Sequence, residues 1–295
     1  MRNSEKGFLL LTSHLGDPES KPLTVAQFRT LISRVQTMTR IENDRALTQE
    51  DLLSIGYGQE EANRILQLLS RQELLEYYVN RAAKTDCYPI TRISPLYPQM
   101  LRQRLGTDCP GCLWAKGDSS LLSRPMIALV GSRELREDNL LFAQEAGRQA
   151  ALQGYALLSG NARGADRAAQ ESCLAHGGQV VSIVADSLEA CKDRTGVLYL
   201  SEDSFDFPFS AIRALSRNRL IHAMGKLTFV AQATHGKGGS WTGTVQNLRH
   251  GWSPVFCFAD GSKAAISLSD MGAIQISTEN LSALDSLKPS EINFL

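Results

Sequence analysis

Met126-Ile127-Ala128-Leu129-Val130-Gly131-Ser132-Arg133 reads as a short buried strand that runs into a glycine turn. The apolar run does not alternate with polar residues. A strand of that kind suits a parallel sheet covered on both faces, not an antiparallel sheet wet on one. The pattern recurs downstream at 155–158, 180–184, 197–200, 227–230 and 255–258. Amphipathic segments at 138–153, 165–176, 211–224 and 242–250 lie between these runs. Strands alternating with helices predict an α/β fold with a Rossmann-like, doubly wound, mainly parallel sheet. The tail beyond Gly261 adds one strand at 273–276 and a short helix near Asn280. The sheet domain is assigned to residues 123–295.

Residues 1–122 read differently, as a small helical domain and a lead-in. Thr24 caps a helix with Phe28, Leu31, Ile32 and Val35 on one face. Thr48 and Asp51 have the spacing of a capping box, and Gly56 and Gly58 end the short helix that follows. Further helices fit 62–69 and 74–79. Pro89, Pro95, Pro98 and Pro110 then mark a loop-rich stretch.

The chain has 295 residues, room for about two domains. With 43% hydrophobic and 21% charged residues it is an ordinary globular composition, not a disordered or fibrous one. No apolar run approaches the ~20 residues of a membrane span, so a cytoplasmic protein without membrane contact is expected. Six scattered cysteines do not make a secreted disulfide scaffold. Basic and acidic residues balance at 31 each, which excludes a uniformly basic nucleic-acid coat but not a local groove.

In an open α/β sheet, ligands bind beyond the carboxyl ends of the strands. Three of those ends carry polar motifs: Gly131-Ser132-Arg133, Ser159-Gly160-Asn161-Ala162-Arg163-Gly164-Ala165-Asp166, and Gly238-Gly239-Ser240-Trp241-Thr242-Gly243-Thr244. Glycines admit a ligand close to the backbone, helix-start amides favour anions, and arginine forks suit phosphate. A fourth motif, Arg217-Asn218-Arg219, sits in the segment before the 227–230 strand. From 207 to 259 there is no Asp or Glu, while Arg213, Arg217, Arg219, Lys226, Lys237 and Arg249 fall there. That window predicts a cationic face, unless acids from elsewhere in the chain balance it. There is no Gly-x-x-x-x-Gly-Lys-Ser/Thr loop and no full Gly-x-Gly-x-x-Gly fingerprint.

The four blocks together, in this order and spacing, resemble the DNA-processing protein A (DprA/Smf) family. Tyr97-Pro98 with Leu101, then 113–117, is similar to the family's lead-in, and the likeness covers about residues 8–260. The resemblance implies a small helical (SAM-like) domain followed by an extended Rossmann core of the SLOG type. It implies a homodimeric cytoplasmic protein that binds single-stranded DNA. It further implies protection of incoming strands and loading of a RecA-type recombinase in natural transformation. Carried over residue by residue, the phosphate pocket would comprise Ser132, Arg133, Ser159, Gly160, Arg163, Arg217, Asn218, Arg219, Gly239 and Ser240, and the neighbouring Gly131, Gly164, Lys237 and Thr242 of the same polar stretches complete the candidate site. Trp241 is a candidate stacking platform, with core packing an equal reading. The chain departs from the family at Gln170, where His is usual. It departs again at Val184-Ala185-Asp186, which lacks the glycine-rich turn, and at Ala259-Asp260-Gly261, which stands in place of Pro-Gly. The C-terminal winged helix of many members is expected to be absent.

No catalytic residue, metal or cofactor is assigned. Asp166 reads as capping the helix after Gly164 or positioning Arg163, not as a general base. Cys109-Pro110-Gly111-Cys112 has half the spacing of a zinc site and reads as a turn with two thiols. His222 reads as a core or boundary histidine. The rival reading is a nucleotide sensor or phosphoribohydrolase-like protein, with a role in stress or phage defence. Residues 238–244 resemble the Pro-Gly-Gly-x-Gly-Thr loop of those hydrolases, but Val245 and Gln246 follow where a catalytic Glu would stand.

Overall fold

The computed structural model describes residues 1–17, 19–38, 46–202 and 204–287. The chain opens with α1 (Asn3–Thr12), whose Phe8, Leu9, Leu10 and Leu11 are all buried. A four-residue apolar run on a helix points around its whole circumference, so α1 must be enclosed. α2 (Val25–Gln36) starts as expected: Thr24 Oγ1 accepts from the Gln27 amide, and the Thr24 amide donates to Gln27 Oε1. α3 (Gln49–Ser54) carries the Thr48–Asp51 box, and α4 (Gln59–Leu69) and α5 (Gln72–Ala83) complete the helices. Leu11, Leu23, Leu31, Leu52, Ile65 and Leu68 form a core of their own. Leu9 and Leu10 of the same α1 belong to the core of the sheet, so this helix is shared between the two.

The stretch expected to be loops is not. It forms β1 (Cys87–Thr91), α6 (Gln99–Leu105) and β2 (Cys112–Lys116). Pro89 sits within β1, where one face of hydrogen bonding is unused because β1 is an edge strand. Every residue of β2 is buried, and five residues between proline and glycine turns are too few to show a period.

The Rossmann-like core then follows the predicted alternation. Its elements are β3 (Met126–Val130), α7 (Glu137–Leu152), β4 (Ala156–Ser159), α8 (Ala165–Ala175), β5 (Gln179–Ile183) and β6 (Val197–Glu202). They continue with α9 (Ala211–Ser216), α10 (Asn218–Met224), β7 (Leu227–Val230), α11 (Gly238–His250), β8 (Val255–Phe258), α12 (Lys263–Asp270) and β9 (Ile274–Ile276). The segment expected as one helix at 211–224 is broken at Arg217 into α9 and α10. α12 is an element beyond the strand and short helix expected of the tail, and the helix near Asn280 is a 3-10 helix, Glu279–Ser286.

Among the described residues the strands form one sheet in the order β1-β2-β6-β5-β4-β3-β7-β8-β9. It is parallel from β6 to β9, and β1 and β2 are added antiparallel. Alternate residues feed opposite cores. Ile127 and Leu129 pack with Phe142 and Ala169 on one side, while Ala128 and Val130 pack with Leu220 and Met224 on the other. The chain winds outward from β3 to β6, then returns across β3 to β7. That reversal opens a crevice between β3 and β7, where doubly wound sheets hold ligands. No helix among the described residues is long and apolar enough to cross a membrane.

Candidate functional site

Three turns meet at this crevice. The turn after β3 is stitched to the one after β7 by the Ser132 amide, which donates to the Gln232 carbonyl at 3.0 Å. Ser240 Oγ, in the first turn of α11, donates to the Gly131 carbonyl at 2.7 Å. The Ala165 amide, at the start of α8, donates to the Ser132 carbonyl at 3.2 Å. Glycine permits this crowding. Gly164 has φ of +81°, and a Cβ there would lie 2.4 Å from the Ser132 carbonyl oxygen. The sequence suggests these glycines make room for a ligand; Gly131 and Gly164 instead make room for neighbouring turns.

The result is an open cleft of about 1030 Å³ whose lining includes Gly131, Ser132, Arg133, Arg163, Gly239 and Ser240. α7, α8 and α11 point their N-termini toward the turns that form it. Their N-cap residues, Arg136, Gly164 and Lys237, make no side-chain capping bond. First-turn amides that no cap occupies are ready donors to an anion, although in α8 those of Ala165 and Arg167 are already bonded to the Ser132 and Ala162 carbonyls. Arg133, Arg163 and Lys237 are exposed in the cleft. None of the three makes a side-chain hydrogen bond or ion pair among the described residues.

Of the two carboxylates at the cleft, one is committed to its own loop. Asp166 accepts from the amides of Gly160 (3.1 Å) and Ala162 (3.2 Å), so it secures its own loop and does not bond Arg163. Burial pushes its carboxyl up, against the nearby Arg217 guanidinium and those two amides. Glu134, at the lining, is the other carboxylate of the cleft.

The Arg217-Asn218-Arg219 triplet divides its work. Arg217 is only 8% exposed, and its Nη1 donates to the carbonyls of Gly160 and Ile183 at the ends of β4 and β5. It reaches the cleft wall but acts first as a strut between two strands. Asn218 Nδ2 donates to the Gly239 carbonyl at 3.1 Å and ties α10 to the start of α11. Arg219 lies outside the cleft lining, ion-paired with Glu202 and donating to the Ser216 carbonyl at 2.9 Å.

Several other expected site residues are also elsewhere. Ser159 is fully buried and accepts from Gln170 Nε2 at 2.5 Å, which accounts for the amide at the position where His is usual. Gly160 is buried beneath Arg217. Thr242 faces solvent away from the cleft lining. Trp241 is half-buried against the core with its ring 4.8 Å from that of His235, so it does not line the cleft.

The acid-free window does not form the cationic face. Arg213 donates to the carbonyls of Ala185 (2.9 Å) and Phe207 (2.7 Å), and Lys226 pairs with Asp285 at 2.8 Å. With Arg217 and Arg219 also engaged, Lys237 is the window's cation in the cleft. The remaining two, Arg133 and Arg163, come from outside it.

The sequence reading missed two groups. Asp260, one of the departures noted above, accepts from Asn139 Nδ2 at 2.8 Å and pairs with Arg136. Burial raises its carboxyl, but hydrogen bonds from Ser262 and Asn139 outweigh that and hold it below the usual range. The second group is apolar: Phe209 and Leu215 line the cleft yet stay half-exposed. Leu215 falls within the helix expected over 211–224, and Phe209 lies just before it with no pattern of its own.

Cys109 and Cys112 are buried, with Cys109 Sγ 3.0 Å from the Tyr97 hydroxyl. His222 is fully buried in the core.

The family model for DNA recombination-mediator protein A matches residues 89–279. Protein Smf of Escherichia coli (strain K12) is 28% identical over 155 residues, 48% of this chain and 40% of that protein. DNA processing protein DprA of Streptococcus pneumoniae is 28% identical over 167 residues, 50% of this chain and 52% of that protein. The chain therefore spans about half the length, or less, of these curated relatives. Among solved structures, DNA processing protein A from S. pneumoniae superposes with a TM-score of 0.71 at 21% identity, over 98% of this chain and 99% of that one. DNA processing protein A from Helicobacter pylori, solved for its single-stranded DNA binding mode, gives 0.56 at 24% identity, over 67% of this chain and 95% of that one. Likeness at these identities establishes the fold.

Proposed function

Since the chain belongs to the DNA recombination-mediator protein A family, we propose that its cleft binds single-stranded DNA by the backbone, without reading sequence. One observation carries the reading. Three cations without side-chain partners among the described residues, Arg133, Arg163 and Lys237, share a cleft toward which helix N-termini without side-chain caps point. Phosphates are the ligands that such donors fit, and a cationic groove tracking the backbone is what non-specific strand binding requires. The H. pylori relative's single-strand binding mode supports the same choice.

The family resemblance extends the reading. The protein acts as a homodimer in the cytoplasm, protects strands during DNA uptake or recombination, and loads a RecA-type recombinase on them. Sedimentation of the pure protein tests the dimer. RecA strand exchange with and without the protein tests the loading.

The binding test is fluorescence anisotropy with a labelled dT oligomer of about 30 nucleotides, longer than the ~4–16 that one module covers. Affinity should fall with salt, with a log–log slope of about −0.7 per phosphate contacted, and duplex should bind more weakly. No binding at low salt would overturn the reading. If a mononucleotide then raised Tm by mass action, the cleft would belong to a nucleotide sensor instead.

A further inference from the structure

Most of α9 faces outward. Phe209 just before it is 53% exposed, Ile212 is 80% exposed and Leu215 is 50% exposed. Large apolar side chains left grouped on a surface mark a contact that the isolated chain does not satisfy. Two of the three, Phe209 and Leu215, line the cleft beside the cations described above. Leu215 Cδ2 lies 3.9 Å from the point where a Gly239 Cβ would stand, so it sits against the first turn of α11.

The segment is firmly held. Ser210 Oγ caps α9 by accepting from the Arg213 amide at 3.1 Å. The Arg213 guanidinium fastens the helix to the Ala185 and Phe207 carbonyls and to Ser201 Oγ at 2.8 Å. An apolar wall pinned in place loses little freedom when a ligand covers it.

From this juxtaposition we infer that Phe209 and Leu215 are the base-contacting wall of the cleft, and that they make it select unpaired strands. The inference rests on the reading above and names how that same site tells single strand from duplex. Charge complementarity sets the occupant. Cations and open amides take phosphates, and an apolar surface beside them takes the π-faces that each unpaired base offers. A duplex has those faces stacked inside and presents only phosphates here.

The experiment compares the wild-type chain, the Phe209→Ala/Leu215→Ala double variant and Ile212→Ala. Each is titrated with three probes: the dT oligomer, an abasic sugar-phosphate oligomer of equal length, and duplex. The double variant should lose about tenfold or more in affinity for dT, in line with the cost of removing base contacts. Its salt slope, its affinity for the abasic oligomer and its Tm should not change. Ile212→Ala, on the same helix but outside the cleft lining, should bind as wild type does. If the double variant binds dT as well as wild type, the base-contacting wall is refuted while the cleft reading survives. Failure of the wild type to bind dT at low salt refutes both. Dissociation of a wild-type oligomer by the double substitution, with dT affinity intact, would assign α9 to a second copy of the chain and overturn the inference.

Discussion

Arg217 bridges Gly160 and Ile183: its Nη1 donates to both carbonyls, at the ends of two neighbouring strands. The guanidinium packs over the Gly160 backbone so closely that a Cβ on Gly160 would lie 2.2 Å from Nη1. Asp166 is buried nearby and partly balances the arginine's charge. The residue that most resembles a phosphate ligand in the sequence is thus a brace for the rim of the cleft.

Arg217→Ala should therefore act on stability before binding. Its loss leaves the buried Gly160 and Ile183 carbonyls without their donor, at about 1–3 kcal/mol for each group left unsatisfied. A large fall in Tm or in the urea midpoint is expected. Arg217→Lys should recover part of the loss, because both carbonyls accept from the single Nη1, a role that one ammonium with three donors can fill. Unchanged stability with lost DNA binding would show that Arg217 is a direct ligand instead.

Arg133→Ala, Arg163→Ala and Lys237→Ala should do the opposite. Each is expected to leave Tm unchanged and to reduce the salt slope for single-stranded DNA by about 0.7. Arg219→Ala should keep the slope of the wild type, because that cation is committed to Glu202. Arg29→Ala, in α2, is the distant control. Anisotropy titrations over a range of salt separate these outcomes, and an equal effect of all five would refute the cleft.

His222 should make the protein acid-sensitive. Its Nδ1 faces Asn247 Nδ2 at 3.2 Å, while its Nε2 has no partner among the described residues. Burial lowers its pKa from 6.5 to about 3. Above the unfolded value neither state binds the proton, so the folded state has no penalty. As pH falls below 6.5 the unfolded chain binds a proton that the folded chain refuses, and stability drops until pH approaches the folded value. The slope from this group is at most about 1.4 kcal/mol per pH unit. Urea unfolding between pH 7 and 5 should show a shallower loss for His222→Gln than for wild type; equal slopes would refute the assignment.

The strands after residue 125 and most of the helices between them were legible because their signals are local. Ile127 and Leu129 face one core, Ala128 and Val130 the other, and a run without alternation already says that both faces are covered. The Thr24 and Thr48 caps were legible for the same reason, since each closes within three residues. β1 and β2 were not, because five-residue strands among prolines have too little period to distinguish them from loop.

The cleft was half legible. Gly131, Ser132, Arg133, Arg163, Lys237, Gly239 and Ser240 do line it, and each belongs to, or in the case of Lys237 immediately precedes, a polar block beyond the end of a strand. Which cations remain available there was a tertiary matter. Arg219 meets Glu202 across 17 residues, and Arg217 meets Ile183 and Gly160 across 34 and 57. A local pattern sets the strand, the turn and the helix start, because backbone hydrogen bonding and side-chain period act over a few residues. Whether a charge faces ligand or partner depends on which distant carbonyl or carboxylate the fold brings within about 3 Å, where a hydrogen bond can form. That is why the chain announced a cleft rich in donors, and why only packing reassigned Arg217 and Arg219 and exposed Phe209 and Leu215 in it.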